Sequence, residues 1–280
     1  MTATPTRALF RLELAEALRS RWLVFTAVVY AIVFGGFVWL GLRESTVLGF
    51  TGLSRVILNV SNAIVLAVPL VALVATSGTV VRARQSGFFE LMLSQPVRRG
   101  DWFSSVIASR FLVIVGPLVV LFLGALAAGP ALHGRDAALA PMVVRSLAVT
   151  AALGWAFVGI GFWISASART PERATVMALV AWLVASALHD FALVGVLLRV
   201  RLSPEVVFGL AAVNPVEAAR IAILSGVDPD LSVLGPVGFW LANTLGPKVS
   251  FAIGVAWPAL LGTFAMWRAE RRLSSGDLVG

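Results

Sequence analysis

The chain is 280 residues long, 59% apolar and only 13% charged, with a mean hydropathy of +0.93. Soluble domains carry roughly 25% charged residues, so this is an integral membrane protein. Its formal charge of +8 comes from arginines scattered between apolar stretches, which excludes a basic nucleic-acid face, and the absence of cysteine excludes disulfides and thiolate metal sites within the chain.

Residues 6–21 read as a helix with Glu13, Glu16, Arg19 and Ser20 on a narrow polar arc and Phe10, Leu14, Leu18 and Trp22 opposite. That pattern belongs to a helix lying in the membrane interface. The apolar run 22–42 is longer than a signal-peptide core and no small-residue cleavage site follows, so it reads as an uncleaved first span. Crossing ~30 Å of hydrocarbon takes about 20 apolar residues. Segments 56–81, 103–132, 146–168, 174–198 and 249–267 meet or approach that length, the second of these through its uncharged run Phe111 to Leu132. The expectation is an all-α polytopic chain, one transmembrane domain over 1–280 with six spans and both termini on one side.

Between the second and third spans lies the long polar stretch 82–101. Gly87 can start a helix with Glu90 three residues on to close a capping box, Leu91, Met92 and Leu93 continue it, and Pro96 stops it. A helix so short lies on the membrane surface, with Phe88 and Phe89 at its start and Arg82, Arg84, Arg98 and Arg99 flanking it. Counting cationic residues, fourteen fall on the side of the termini and eight on the other, while the acidic residues divide seven and seven. The positive-inside rule therefore makes the termini and the 82–101 helix cytoplasmic, in the inner (plasma) membrane.

The segment 199–248 is too apolar for a solvated loop and too broken by Gly and Pro for a span. Asn214, Pro215 and Glu217 form a helix start with the Asn as N-cap and the Glu closing a box; the helix passes Arg220 and stops at Gly226. Leu231 to Leu245 reads as a re-entrant hairpin. The segment as a whole is expected to be an outer gate, since irregular backbone at membrane depth must be buried in protein or line a cavity. Within the fifth span, His189 and Asp190 interrupt the apolar run. A lone intramembrane carboxylate is costly, so Asp190 is either a pathway or gate residue or one half of an ion pair with an outer-side arginine such as Arg145 or Arg199. No catalytic motif is present, and two histidines and five dispersed methionines make no metal site in this chain.

In order and spacing these features resemble type-2 ABC transporter permeases. The carrying residues include Glu13-Leu14, Leu18-Arg19, Arg21-Trp22-Leu23, Leu48-Gly-Phe-Thr51, Pro69-Leu70, the Gly87-Phe-Phe-Glu-Leu-Met-Leu-Ser-Gln-Pro96 helix, Arg145, Leu153-Gly-Trp155, Asp190, Asn214-Pro215, Arg220 and Leu224-Ser-Gly226. Among those permeases the chain is most similar to the membrane subunits of complexes that mature the copper centres of nitrous-oxide reductase. It departs from them at Arg82-Ala83-Arg84, where acidic residues are usual, and at Phe88-Phe89 in place of Thr-Leu. The resemblance implies that the helix carrying Arg82, Arg84, Phe88, Phe89, Glu90 and Met92 couples to a separate ABC ATPase, and that two copies form a homodimer. It also leaves room for an outer-side accessory protein.

The chain has no G-x-x-x-x-G-K-[ST] loop, and its single lysine, Lys248, lies on the outer side, so ATP and Mg belong to the partner ATPase and no cofactor to this chain. Phe88 and Phe89 either enter a groove of that partner or anchor the helix among lipid headgroups. The whole is read as a non-enzymatic permease subunit for export or for periplasmic copper-enzyme assembly. A scaffold that transmits ATPase motion to an outer-side protein, with nothing crossing, is the alternative.

Overall fold

The structure is a computed structural model that describes residues 5–19, 21–48, 53–94, 98–133, 136–226, 231 and 235–275. Among them every element is helical. In chain order these are α1 (Pro5–Arg19), α2 (Arg21–Leu48), α3 (Leu53–Thr76), α4 (Thr79–Gln85), α5 (Phe88–Leu93), α6 (Arg99–His133) and α7 (Leu139–Ser167). Then follow α8 (Pro171–Leu183), a π turn (Val184–Leu188), α9 (His189–Leu197), α10 (Pro204–Val213), α11 (Pro215–Leu224), α12 (Gly235–Thr244) and α13 (Gly246–Ser275).

Among the described residues, five helical stretches are long and apolar enough to cross a membrane: Val56–Gln85, Arg99–Gly129, Leu139–Ser167, Pro171–Leu197 and Gly246–Leu273. The number rises to seven if two bent pairs, α1–α2 at 57° and α10–α11 at 117°, each count as one span. Helices α6 and α7 begin ahead of residues 103 and 146, because polar residues supply their starts. Asp101 sits in the first turn of α6, where a carboxylate complements the helix dipole. Asp136 accepts from the Ala138 N–H through its side chain (2.9 Å) and from Leu139 N–H through its carbonyl (3.2 Å).

The middle of the fold is α7, with α3, α11 and α13 packed around it. Its buried residues come from several faces, among them Val143, Leu153, Phe157 and Phe162. Aromatic edges lock the neighbours: Phe103 meets Phe162 at 5.4 Å, Phe111 meets Trp155 at 5.2 Å and Phe34 meets Phe122 at 5.8 Å. Buried hydroxyls cross-link α3 to α7, with Ser61 Oγ donating to its own Ile57 carbonyl and lying 2.7 Å from Ser146 Oγ.

Where lipid surrounds a bundle, helices gain little from apolar burial against one another and rely on close backbone approach. At the α7–α13 crossing a Cβ on Gly159 would lie 2.3 Å from the Gly262 carbonyl oxygen, and one on Gly262 would lie 2.6 Å from that of Trp155. Gly254 repeats the arrangement against Ala218 of α11, at 2.5 Å. Because the obstacle is backbone, it cannot swing aside. Gly159→Ala should therefore cost about 1–3 kcal/mol and lower the thermal unfolding midpoint of the detergent-solubilised protein. Gly116→Ala, whose Cβ meets nothing within 4 Å, should leave the midpoint unchanged or raise it.

Candidate functional site

Two regions concentrate polar groups that an apolar bundle would otherwise exclude. One is the end of α3 where α4 and α5 project; the other lies where α10 and α11 meet the π turn.

At the first, α3 breaks at Ser77–Gly78 and resumes as α4. Its N-cap, Gly78, offers no side chain, so the orphan N–H groups of the new helix are taken from outside. The Ser165 hydroxyl of α7 accepts from Val80 N–H (2.9 Å) and Val81 N–H (3.2 Å). Arg84 Nη2 reaches the Ala166 carbonyl at 3.5 Å and Gln85 Nε2 the Arg169 carbonyl at 3.4 Å, so α4 is fixed along the end of α7. Ser86 N–H donates to Arg82 C=O and Gly87 N–H to Arg84 C=O, while Gly87 adopts φ +70°. Gly87 thus ends α4 in the left-handed conformation that favours glycine. Its carbonyl then accepts from Glu90 N–H (3.1 Å) and opens α5. The capping box expected between Gly87 and Glu90 is not formed, because Arg84 already takes the Gly87 N–H.

The polar stretch 82–101 is consequently several pieces rather than one helix. Arg82 and Arg84 lie on α4, Phe88, Phe89, Glu90 and Met92 on α5, and residues from Arg99 onward on α6. The expected stop at Pro96 and the Met92 side chain lie outside the described residues. Phe89 is 1% exposed, with its ring 5.0 Å edge-on from Trp102, and Phe88 packs on the same indole at 5.6 Å. This corrects the expectation for Phe89: its ring fills an internal wedge between α5 and α6 and is neither offered to a partner nor laid among headgroups. Glu90 and Leu91, the latter 69% exposed, form the outward face of α5, and Arg82 is exposed on α4.

At the second region the span Pro171–Leu197 widens into the π turn, which leaves the Ala185 carbonyl available. Asn214 uses both ends of its amide there. Its Oδ1 accepts from Val216 N–H (2.9 Å) as the cap of α11, and its Nδ2 donates to Ala185 C=O (2.7 Å). Pro215 occupies the first helical position. His189 Nε2 lies 3.1 Å from the Leu210 carbonyl and so carries the proton of that bond, and Trp257 Nε1 donates to Val213 C=O at 3.1 Å. The last turn of α10 is satisfied by side chains of other helices.

Beside these bonds, Arg220 Nη1 is 3.4 Å from Asp190 Oδ2 and also binds Glu217 one turn back on α11. His189 Nδ1 is 3.7 Å from Asp190 Oδ1. The partner of Asp190 is therefore Arg220, not Arg145 or Arg199. Arg145 is engaged elsewhere: Nε donates to Ala222 C=O (2.6 Å), and Nη2 to Ser225 Oγ (2.6 Å) and Pro247 C=O (3.1 Å), closing the end of α11. The capping box expected of Glu217 is likewise absent, because that carboxylate serves Arg220. Of the expected hairpin 231–245, Gly235–Thr244 is a plain helix and residues 232–234 lie outside the described ones, whereas the sharp bend, 117°, falls between α10 and α11. Among the described residues no three His, Asp or Glu converge as metal ligands.

Asn214→Ala should remove a cap worth about 0.5–2 kcal/mol and orphan the Ala185 carbonyl, raising amide exchange over both 215–224 and 184–190. Asn214→Ser restores the cap but is too short for Ala185, so it should recover only 215–224. Unchanged exchange over 184–190 in both variants would mean that the Asn214–Ala185 bond is structurally idle.

Comparison with known proteins gives this geometry a context. The family described as ABC-2 family transporter protein matches residues 7–272. A probable ABC transporter permease protein NosY of Stutzerimonas stutzeri is 26% identical over 255 residues, 90% of each chain. The protein of that name from Pseudomonas aeruginosa is 28% identical over 222 residues, covering 78% of this chain and 81% of its own. A match running from α1 to the end of α13 leaves no long segment unassigned, and the chain belongs to the ABC-2 family of transporter permeases.

Proposed function

We propose that this chain is the membrane-spanning subunit of an ATP-driven machine whose ATPase is a separate polypeptide docking on α5. The observation that carries the reading is the way α5 is held. It sits at the joint between the long stretch Val56–Gln85 and α6, wedged by Phe89 on Trp102, with α4 fastened to α7 at Ser165. A push on Glu90 and Leu91 from a closing ATPase dimer is then transmitted to two spans as a whole. The six spans are α2, α3–α4, α6, α7, α8–α9 and α13, with α1 in the interface, both termini cytoplasmic and α10–α11 re-entrant from the outer side. A second copy covers the span Pro171–Leu197, whose most apolar eighteen residues have none buried within the chain. The cluster of His189, Asp190, Glu217 and Arg220, with Asn214 and Pro215 beside it, lines or gates the outer half. The names of the relatives support a permease, and the sequence resemblance supports either export or assembly of a periplasmic copper enzyme as the work done.

Glu90→Arg with Leu91→Asp reverses the chemistry of the exposed face without touching the Phe89–Trp102 wedge. Tagged wild-type chain drawn from its native membrane should bring down a stoichiometric ABC ATPase, and the double variant should lose most of it while remaining folded. Full retention by the variant would place the contact elsewhere. For orientation, cysteine at Ser94 should react with an impermeant thiol reagent only from the cytoplasm and cysteine at Ser203 only from outside; the reverse pattern would invert the topology.

A further inference from the structure

Three cavities follow one another along α3, α4 and α5 and change character in a fixed order. The one nearest the middle of α3, about 190 Å³, is bounded by Phe25 and Val29 of α2 and by Ala67, Leu70, Val71 and Val74 of α3, with no polar lining. Val74 also borders the next, about 180 Å³, which is lined by Thr79, Arg82 and Arg110. Thr79, Arg82 and Arg110 border the outermost in turn, about 270 Å³, where Glu13 and Glu16 of α1 face them beside Phe88 and Trp102. From the middle of α3 toward the helix ends, the lining is apolar, then cationic, then cationic with carboxylates facing it.

The cations are only partly engaged within the chain, Arg110 acting on Glu13 and Arg82 on Glu172. Arg110 Nε is buried with no hydrogen-bond partner among the described residues. Arg82 folds back against Gly78, where a Cβ would come within 2.9 Å of its Nε. No salt bridge joins either arginine to a carboxylate among the described residues. On the acidic side, burial and then the neighbouring Glu16 hold the Glu13 carboxyl above its usual range, although Arg110 and a Trp102 hydrogen bond work against them. Two carboxylates drawn together in a partly dry groove favour an added cation.

A simple anion would be attracted by the arginines but repelled by the carboxylates, and a simple cation the reverse. A zwitterion with its phosphate deeper and its ammonium outward satisfies both, and the apolar cavity continuing inward from Val74 calls for hydrocarbon attached to the phosphate end. We propose that this groove binds one aminophospholipid, with an acyl chain along Val71 and Val74, the phosphate between Arg82 and Arg110, and the primary ammonium at Glu13 and Glu16. Trp102 and Phe88 lie at the headgroup level, where aromatic rings are favoured. The inference rests on the chain's insertion in a membrane, not on what it moves or what pushes it.

Native mass spectrometry of the delipidated protein, offered ethanolamine, choline and glycerol phospholipids of identical acyl chains, tests the assignment. The ethanolamine lipid should be retained in preference by about tenfold, the scale of one charge-assisted hydrogen bond. Arg82→Gln with Arg110→Gln should weaken all three lipids, whereas Glu13→Gln with Glu16→Gln should abolish the preference and leave a common residual affinity. Should the arginine pair prove essential for folding, the glutamate pair decides alone. Equal retention of the three lipids by wild type, or a preference that survives the glutamate change, overturns the proposal. Displacement by glycerophosphoethanolamine at equal concentration would assign the site to a soluble phosphate ester and overturn it too. Loss of the lipid on formation of the ATPase complex would give the groove to that protein and do the same.

Discussion

The fold depends on one constraint: inside a membrane, backbone polar groups that leave a regular helix must be satisfied by the protein itself. Among the described residues the chain breaks its helices more than once, and each break recruits side chains from elsewhere. The 117° turn between α10 and α11 is the severest. Asn214 closes it from within, while His189 and Trp257 reach in from two other helices to the Leu210 and Val213 carbonyls. Arg145 does the same for the far end of α11. These residues look like a cluster of functional groups scattered through apolar sequence. Their first duty is to make an irregular path tolerable, and that duty draws the charged pair Asp190 and Arg220 into the same place.

The same logic, applied at the opposite end, makes the α4–α5 corner stiff. A helix that starts at a glycine cap would fray, but Ser165 holds its first amides and Arg84 and Gln85 hold its last turn to α7. The Phe89–Trp102 contact then sets α5 against α6. These contacts join a small element rigidly to large ones, which is what the proposed coupling requires.

Much of this was legible in the sequence because it rests on local chemistry. Span lengths follow from uncharged runs, and the Asn214-Pro215 start of α11 follows from capping preferences within three residues. What escaped was non-local. Asp190 carries no mark that its partner is Arg220 rather than Arg145, since the choice depends on how α11 tucks under the π turn. Glu90 and Glu217 both stand at capping-box spacing, yet neither forms the box: Arg84 reaches the Gly87 amide first, and Arg220 claims the Glu217 carboxylate. Phe88 and Phe89 are adjacent and chemically equal, and both meet Trp102; only the way α5 packs leaves Phe89 buried and Phe88 partly exposed. The π turn itself has no signature in Val-Ala-Ser-Ala-Leu.

That π turn acts as an index mark on the span. A π turn is an α-helix holding an extra residue in one turn, so every side chain beyond it is set by that single insertion. Excising one residue from Val184–Leu188 would leave a regular, equally apolar helix of nearly the same length. It would also rotate the remainder by about 100°, carrying His189 and Asp190 away from Leu210 and Arg220 while the composition of the span hardly changed. The azimuth of His189 and Asp190 is thus encoded by how many residues precede them, a quantity invisible to hydropathy and sensitive to the smallest possible deletion.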